Sequence, residues 1–145
     1  MIRAAHAEEL ALLREIALAA FEREVAPLLG EEGRAEYERF TQPQAMEERV
    51  RSGNEFFVWV ADDAIRAMSE LRERNHLVML FVDPSAQGQG LGRALLEHAL
   101  QLGMETVSSS PNAVGFYAQH GFQPTGEEQE KNGLRFVPMR VAGER

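Results

Sequence analysis

Three alternating glycines, Gly88, Gly90 and Gly92, mark the segment of this sequence with the clearest capacity for chemistry. They follow an apolar run at 76–82 and precede an amphipathic helix that we predict over 91–102. The first N–H groups of a helix lack intrahelical partners, and the helix dipole adds roughly half a positive charge there. Because glycines carry no Cβ, an anion can approach those N–H groups closely. The segment is therefore suited to bind a pyrophosphate group.

Two widespread phosphate loops do not match this segment. A Walker loop needs the sequence Gly-Lys-Ser/Thr, and the segment contains no lysine. The dinucleotide fingerprint needs the spacing G-x-G-x-x-G, whereas these glycines follow G-x-G-x-G. The alternative is a plain glycine-rich turn before a core helix, but each glycine at such a junction loosens the start of the helix. Anion binding explains the pattern better.

A second segment, at 110–122, surrounds Tyr117 and reads SPNAVGFYAQHGF. It resembles the N-A-x-x-F-Y-x-x-x-G-F segment of the GNAT superfamily of acyl-CoA-dependent N-acetyltransferases. The run QGQGLG at 87–92 resembles the Q/R-x-x-G-x-G/A motif of the same family. The two motifs occur in the expected order, with one helix and one strand between them. The resemblance covers most of the chain and is strongest over 76–141.

The resemblance implies an α+β (mixed α/β) architecture, the GNAT acyl-CoA N-acyltransferase fold. In that fold, helices flank a central, mostly antiparallel twisted sheet. The fourth and fifth strands splay apart in a V, and acetyl-CoA lies in the opening. Acetyl-CoA is therefore the expected co-substrate.

Residues of the fourth strand and of both motifs are those that the resemblance assigns to acetyl-CoA. Backbone groups of the strand would bind the pantetheine arm as an added strand does, and N–H groups of the turn would bind the pyrophosphate. An asparagine would hydrogen-bond the cofactor arm, and a phenylalanine would pack beside it. The expected cofactor-binding residues are Leu80, Phe81, Val82, Gln87, Gly88, Gly90, Gly92, Arg93, Asn112 and Phe116. Core packing is the alternative for the three large apolar side chains outside the turn, Leu80, Phe81 and Phe116.

Three residues are candidates for catalysis in this resemblance. Tyr117 is the expected general acid, which gives a proton to the departing CoA thiolate; the alternative is a tyrosine that packs with its hydroxyl at the surface. Several family members use a carboxylate base at the start of the fourth strand, and the count back from Gln87 places His76 there. A histidine titrates in the range needed to accept a proton, but a strand-end histidine bonded to the backbone is an equal alternative. Glu70, on the preceding strand, is the other candidate base, unless it is a surface carboxylate.

The sequence contains no cysteine, which excludes disulfides, cysteine-ligated zinc, iron–sulfur clusters and a cysteine nucleophile. Without an acyl-cysteine intermediate, direct transfer in a ternary complex is favoured. An acyl-serine route through 108–110 is open in principle, but no Ser-His-acid arrangement is visible. The four histidines are scattered without ligand spacing, so no metal is expected.

The apolar patterning predicts the elements that position these groups. Strands are expected at 2–4, 56–60, 65–72, 76–82 and 106–108, and helices at 7–20, 34–40, 44–51, 91–102 and 113–120. Asn132-Gly133 predicts a hairpin between strands at 123–131 and 134–141. No linker or repeat divides the chain, so one N-acetyltransferase domain over 1–145 is expected.

The charge composition limits the classes of partner that this chain is expected to bind. Among 145 residues, 23 are acidic and 15 basic, giving a net charge of −8, which argues against a general nucleic-acid or anionic-membrane binder. Residues 1–62 carry 13 acidic and 7 basic side chains and border the acceptor side in the family, so a cationic amine acceptor is expected. No signal pattern or apolar run of the length needed to span a bilayer is visible, so a cytoplasmic location is expected. Members of that family are often homodimers, so the resemblance makes a homodimer one expectation for this chain.

The leading functional hypothesis is an N-acetyltransferase that moves acetyl from acetyl-CoA to a primary amine of a small molecule or a protein. A non-catalytic acyl-CoA-binding or regulatory module is the alternative, although Tyr117 at the motif position favours the enzyme. A nucleotide-binding domain is a third hypothesis, which would require stabilisation by ATP or NAD and not by CoA.

Overall fold

The computed structural model describes residues 1–143, which form eight strands and five α-helices. The strands are β1 (Ile2–Ala4), β2 (Glu55–Ala61), β3 (Ala64–Arg72), β4 (His76–Val82), β5 (Thr106–Ser109), β6 (Phe122–Pro124), β7 (Gln129–Lys131) and β8 (Leu134–Val141). The helices are α1 (Leu10–Glu24), α2 (Glu31–Phe40), α3 (Pro43–Arg51), α4 (Leu91–Leu102) and α5 (Val114–Gln119).

The strands pair in the order β1-β2-β3-β4-β5-β8-β6, and β7 pairs with β8 beside this path. Every pairing is antiparallel except that of β4 with β5, which is parallel. That parallel pairing holds only at His76–Thr106 and Leu77–Val107, although β4 continues to Val82. Beyond those two pairs the strands diverge. The predicted α+β fold, with a V-shaped splay between the fourth and fifth strands, is confirmed.

Two hydrophobic cores lie on opposite faces of the sheet. Helices α4 and α5 cover one face with side chains such as Leu95, Leu96 and Tyr117, whereas α1, α2 and α3 cover the other. Adjacent strand residues alternate between the cores, as Ala67 and Met68 do on β3. Because helices cover both faces, β4 is apolar over almost its whole length.

The predicted strand at 123–131 is wrong as a single element. The structure has β6 and β7 instead, separated by a bend at 125–128. Pro124 has no N–H to donate to a ladder, and a glycine follows at position 126, so extended pairing ends there. Thr125 N donates to the Pro138 carbonyl at 2.8 Å and fixes the bend against β8.

Helix α2 begins three residues before the predicted start at 34, and therefore includes Gly33. The glycine is required by packing, since a Cβ on Gly33 would overlap the carbonyl of Gly133 in the turn between β7 and β8. Gly133 itself has φ +84°, a conformation that favours glycine. The two backbones therefore touch directly, and the β7–β8 hairpin lies against α2.

Replacing Gly33 with alanine is expected to lower the free energy of unfolding by about 1–3 kcal/mol, because the added methyl group forces the hairpin away from α2. Urea denaturation of the wild type and the variant measures this loss. Gly115→Ala is the matched control, since Gly115 is also helical but has no atom within 4 Å of an added Cβ. The control should be neutral or slightly stabilised, because alanine is the better helix former. A Gly33→Ala protein as stable as the control would contradict the backbone contact.

Candidate functional site

A cleft of about 590 Å³ opens where the glycine-rich turn joins β4 to α4. We call it the turn cleft. Its walls are the end of β4, the turn, the start of α4 and the segment from Ser110 to Tyr117. The residues singled out from the sequence that line it are Leu80, Phe81, Val82, Gln87, Gly88, Gly90, Gly92, Arg93, Asn112, Phe116 and Tyr117. The fold thus gathers every expected cofactor-binding residue, and the expected general acid, around one cavity.

The glycine-rich turn leaves the start of α4 accessible. Gly88 and Gly90 have φ values of +81° and +80°, and no atom lies within 4 Å of a Cβ placed on either residue. Gly90 is the N-cap of α4, so the unpaired N–H groups of the first helical turn begin there. Gln87 Nε2 donates to the Val82 carbonyl at 3.2 Å and ties the turn to the end of β4. This geometry presents backbone donors to an anion in the turn cleft.

Side-chain charge contributes little to that arrangement. Arg93 is the cation that lines the turn cleft, and its Nε lies 3.0 Å from Oε2 of Glu97, one helical turn away. Glu24 lines the same cleft and carries the opposite charge. An anion in the turn cleft would therefore be bound by backbone N–H groups more than by lysine or arginine side chains.

A second cavity, of about 410 Å³, fills the opening between β4 and β5. We call it the splay crevice. Its far side is formed by α1, α2 and the β7–β8 hairpin. The residues that line both cavities are Val25, Leu80, Phe81, Ser110, Ala113 and Tyr117. The two cavities therefore meet at the splay, and a molecule in one can contact a molecule in the other.

Tyr117 stands at this junction. It is only 6% exposed and packs edge to face against Phe116 and Phe122, with ring centroids 5.1 and 5.6 Å away. Burial raises the pKa of its phenol, so the hydroxyl keeps its proton at neutral pH. Within residues 1–143 the hydroxyl has no side-chain or backbone hydrogen-bond partner. Tyr117 is thus a protonated donor free to act on whatever occupies the junction.

An aromatic cluster forms one wall of the splay crevice. Tyr37 stacks on Phe21 with ring centroids 3.8 Å apart, and Phe81 meets Tyr37 edge to face at 6.0 Å. Burial raises the pKa of Tyr37 as well, so this wall is uncharged. Sequence reasoning assigned Tyr37 no role, because no motif surrounds it and its helical spacing is that of any core residue.

His76 lies at the closed end of the splay, where β4 and β5 still pair. Its Nδ1 is 2.8 Å from Oγ1 of Thr106, on the neighbouring strand. Partial burial and the nearby Arg72 lower the pKa of His76, so its imidazole is neutral at pH 7. His76 lines neither cavity. The structure thus keeps it near the splay, bonded to a side chain rather than to the backbone.

Glu70 is fully buried on the face that α3 covers, so the surface-carboxylate alternative is wrong. Arg49 donates to its two oxygens, through Nε at 2.7 Å and Nη2 at 3.1 Å, and Asn54 Nδ2 donates at 2.8 Å. Arg49 also lies over the Phe40 ring, 3.8 Å from its centroid. Glu70 lines neither cavity. Its carboxylate anchors α3 to β3, and no sequence motif marked this partnership.

The acidic side chains of residues 1–62 are not gathered around the splay crevice. Several of them pair with arginines at the surface, at distances of 2.7–3.1 Å, namely Glu9, Glu36, Glu38 and Glu55. In the part of the chain that the structure describes, no carboxylate lines the crevice, whereas Lys131 and Arg135 do. Arg135 is itself held by Glu128, at 2.6 Å.

Residues 1–143 contain neither a candidate metal site nor a helix that could cross a membrane. No cluster of three or more histidine, aspartate or glutamate side chains is arranged to hold a metal ion. None of the helices over this range is long and apolar enough to cross a membrane.

Comparison with known proteins identifies a family and curated relatives that this chain resembles. A family model described as an acetyltransferase (GNAT) domain matches residues 25–142. The peptidyl-lysine N-acetyltransferase YjaB of Salmonella typhimurium is 41% identical to this chain over 80 residues, which cover 50% of this chain and 54% of that protein. The chain therefore spans about half the length of the curated relatives it matches.

Solved structures share the fold over nearly the full chain. A GCN5-related N-acetyltransferase from Rhodopseudomonas palustris matches with a TM-score of 0.81 at 23% identity, over 98% of this chain and 94% of that one. The PaiA N-acetyltransferase of Thermoplasma acidophilum, solved in complex with coenzyme A, matches with a TM-score of 0.72 at 21% identity, over 98% of both chains.

Proposed function

The chain belongs to the GNAT acetyltransferase family, and from that premise we propose that it transfers an acetyl group from acetyl-CoA to a primary amine in a ternary complex. The observation that carries this proposal is the position of Tyr117, which lines both the turn cleft and the splay crevice. A donor molecule in the first cavity and an acceptor in the second would meet beside its hydroxyl.

The turn cleft suits acetyl-CoA. N–H groups around Gly88, Gly90 and Gly92 are available for the pyrophosphate, and Asn112 and Phe116 line the path of the arm. Beyond Leu77, β4 has no strand partner on its β5 side within the described residues, so Leu80 to Val82 offer free backbone groups to the pantetheine amides. The coenzyme A complex of the Thermoplasma protein supports the same ligand class here.

The splay crevice suits an amine on an alkyl stem. Its wall of Phe21, Tyr37 and Phe81 is apolar and uncharged, and an ammonium group that enters it loses hydration. Desolvation disfavours the charged form of an amine and so favours the nucleophilic free base. A lysine side chain of a peptide or protein has this shape, and the name of the Salmonella relative supports that acceptor. A small-molecule amine is the other acceptor class.

The chemistry needs one acid and one base. As the amine nitrogen bonds to the thioester carbon, the carbon–sulfur bond breaks and the CoA thiolate takes the Tyr117 proton. The amine must release its own proton, and His76, neutral at pH 7 and close to the splay, is our proposed acceptor through water. Glu70 stays a second candidate, but its ion pair with Arg49 already satisfies its oxygens.

We propose a cationic acceptor as well. The amine itself supplies the cationic character of the acceptor, although the acidic side chains of residues 1–62 do not line the crevice. A homodimer and a cytoplasmic location remain predictions from the sequence and the family resemblance.

Tyr117→Phe is expected to reduce CoA release in the presence of a lysine peptide by about 10²–10⁴-fold, because the thiolate then departs without a proton donor. Binding of acetyl-CoA, measured by calorimetry, should be retained. Tyr37→Phe is the matched control, since it removes the other tyrosine hydroxyl from the crevice wall and keeps the stacked ring. Its turnover should fall far less than that of Tyr117→Phe, because the Tyr37 hydroxyl lies 3.8 Å from Met79 Sδ and gives no proton to the thiolate.

Three results would contradict the proposal. Turnover of Tyr117→Phe equal to that of Tyr37→Phe would exclude the acid role of Tyr117. Binding of acetyl-CoA without turnover of any amine would favour a non-catalytic acyl-CoA-binding module. Thermal stabilisation by ATP or NAD, and not by CoA, would favour a nucleotide-binding domain.

The base is tested by the pH dependence of kcat/KM. Far below the pKa of the acceptor amine, kcat/KM should rise about tenfold per pH unit from amine deprotonation alone. Burial places the pKa of His76 under its ordinary value of 6.5. Below that pKa, protonation of the imidazole should make the slope of log kcat/KM against pH twice as steep. His76→Asn should lose this break, whereas Glu70→Gln should keep it. A break that disappears in Glu70→Gln and survives in His76→Asn would assign the base to Glu70.

Gly90→Ala is expected to weaken CoA binding at least about tenfold, or roughly 1.4 kcal/mol. The added methyl group points into the open space of the turn cleft, and the strained backbone shifts the first N–H groups of α4. Gly121→Ala is the control for strain alone, because Gly121 has φ +90°, equally open surroundings and no place in either cavity. Equal losses of CoA affinity, measured by calorimetry, would show that the turn does not bind the cofactor.

A further inference from the structure

Lys131 is the only lysine in the 145-residue sequence, in which arginine supplies the other 14 basic side chains. Apart from the terminal amine, its Nζ is therefore the one primary amine in residues 1–145. That amine does not lie at an arbitrary surface position. Lys131 lines the splay crevice, where the proposed function places the acceptor.

The hairpin fixes the position of Lys131. The residue ends β7, pairs with Leu134 across the turn, and precedes Asn132 and Gly133, both with positive φ. The contact of Gly133 with Gly33 holds this turn against α2. The base of the lysine side chain is thereby anchored in the crevice wall, on the same cavity as Tyr117.

The Nζ group of Lys131 has no bonding partner within residues 1–143. Its neighbour in the crevice wall, Arg135, is bound to Glu128 at 2.6 Å and to the Leu28 carbonyl at 3.2 Å. Over residues 1–143, by contrast, Lys131 forms no ion pair and no side-chain hydrogen bond. It is exposed and free to change rotamer, so bending toward the splay breaks no existing bond.

We propose that Lys131 is a self-acetylation site, whose Nζ accepts the acetyl group from acetyl-CoA bound in the same chain; this rests on the function proposed above. The unprotonated nitrogen bonds to the thioester carbonyl carbon and releases a proton to water, the carbon–sulfur bond breaks, and the CoA thiolate takes the proton of Tyr117. Solvent returns a proton to Tyr117. The products are N-acetyl-Lys131 and CoA, with no oxidant or other co-reactant.

The experiment incubates the protein of residues 1–145 with isotope-labelled acetyl-CoA and maps acetyl groups by tandem mass spectrometry. One labelled group per chain is expected on Lys131, and none there in Lys131→Arg. The Met1 amine belongs to an exposed residue that lines neither cavity, and it reports chemical acetylation in the same sample. Tyr117→Phe should slow labelling of Lys131 by at least about tenfold and leave the labelling of Met1 unchanged.

The concentration dependence tests the intrachain step. Labelling of Lys131 should be first order in the protein, so that its fractional rate does not change on dilution. A fractional rate that falls in proportion to dilution would overturn acetylation in the same chain. Labelling of Lys131 no faster than that of Met1, or equally fast in Tyr117→Phe, would overturn self-acetylation altogether.

A parallel assay with a lysine peptide separates this inference from the proposed function. Tyr117-dependent acetylation of the peptide, with Lys131 unmodified, would overturn the self-acetylation site and leave the acetyltransferase intact. Loss of both reactions, with CoA still bound, would overturn the proposed function as well.

Discussion

The pairing of β4 with β5 ends after two residue pairs, and the rest of the site depends on that ending. Where the two strands pair, the sheet is continuous; once they part, β4 keeps only its β3 neighbour. The unpaired edge supplies backbone donors and acceptors that a strand-like ligand can satisfy. The gap itself becomes the splay crevice, and the turn after β4 opens the turn cleft. One interruption in a hydrogen-bond ladder therefore creates both cavities and the junction at which Tyr117 lies.

The electrostatics of the turn cleft also depend on the backbone. A chain with net charge −8 is suited to an anionic cofactor because backbone N–H groups at the start of α4, rather than a cluster of cations, face the turn cleft. Within the described residues, eight of the 23 acidic side chains form ion pairs with arginines. One of them is the buried Glu70, which is bound by Arg49 and Asn54. Removal of one partner from such a buried pair costs about 3–5 kcal/mol, so Glu70 has a structural reason to be present whatever its part in catalysis.

The parts of the fold visible in the sequence are those encoded within short segments. Helix periodicity at 91–102, the apolar run at 76–82 and the glycines of the turn each depend on neighbours in the chain. The far wall of the splay crevice was not predictable in this way. It joins Tyr37, on a helix without a motif, to a hairpin about a hundred residues later, and only the folded packing brings them together. Arg49 and Glu70 illustrate the same limit, because each alone reads as an ordinary surface charge.

The meeting of Gly33 with Gly133 limits how this crevice can evolve. At most pairs of residues in contact, a substitution that enlarges one side chain can be offset by a substitution that shortens the other. Two glycines have no such freedom, because neither has a side chain to give up and each would overlap the other's backbone with even one Cβ. Substitution of either glycine must therefore move the hairpin away from α2. Any sequence that keeps both glycines can keep this crevice wall, and a sequence that loses one must place the hairpin differently against α2.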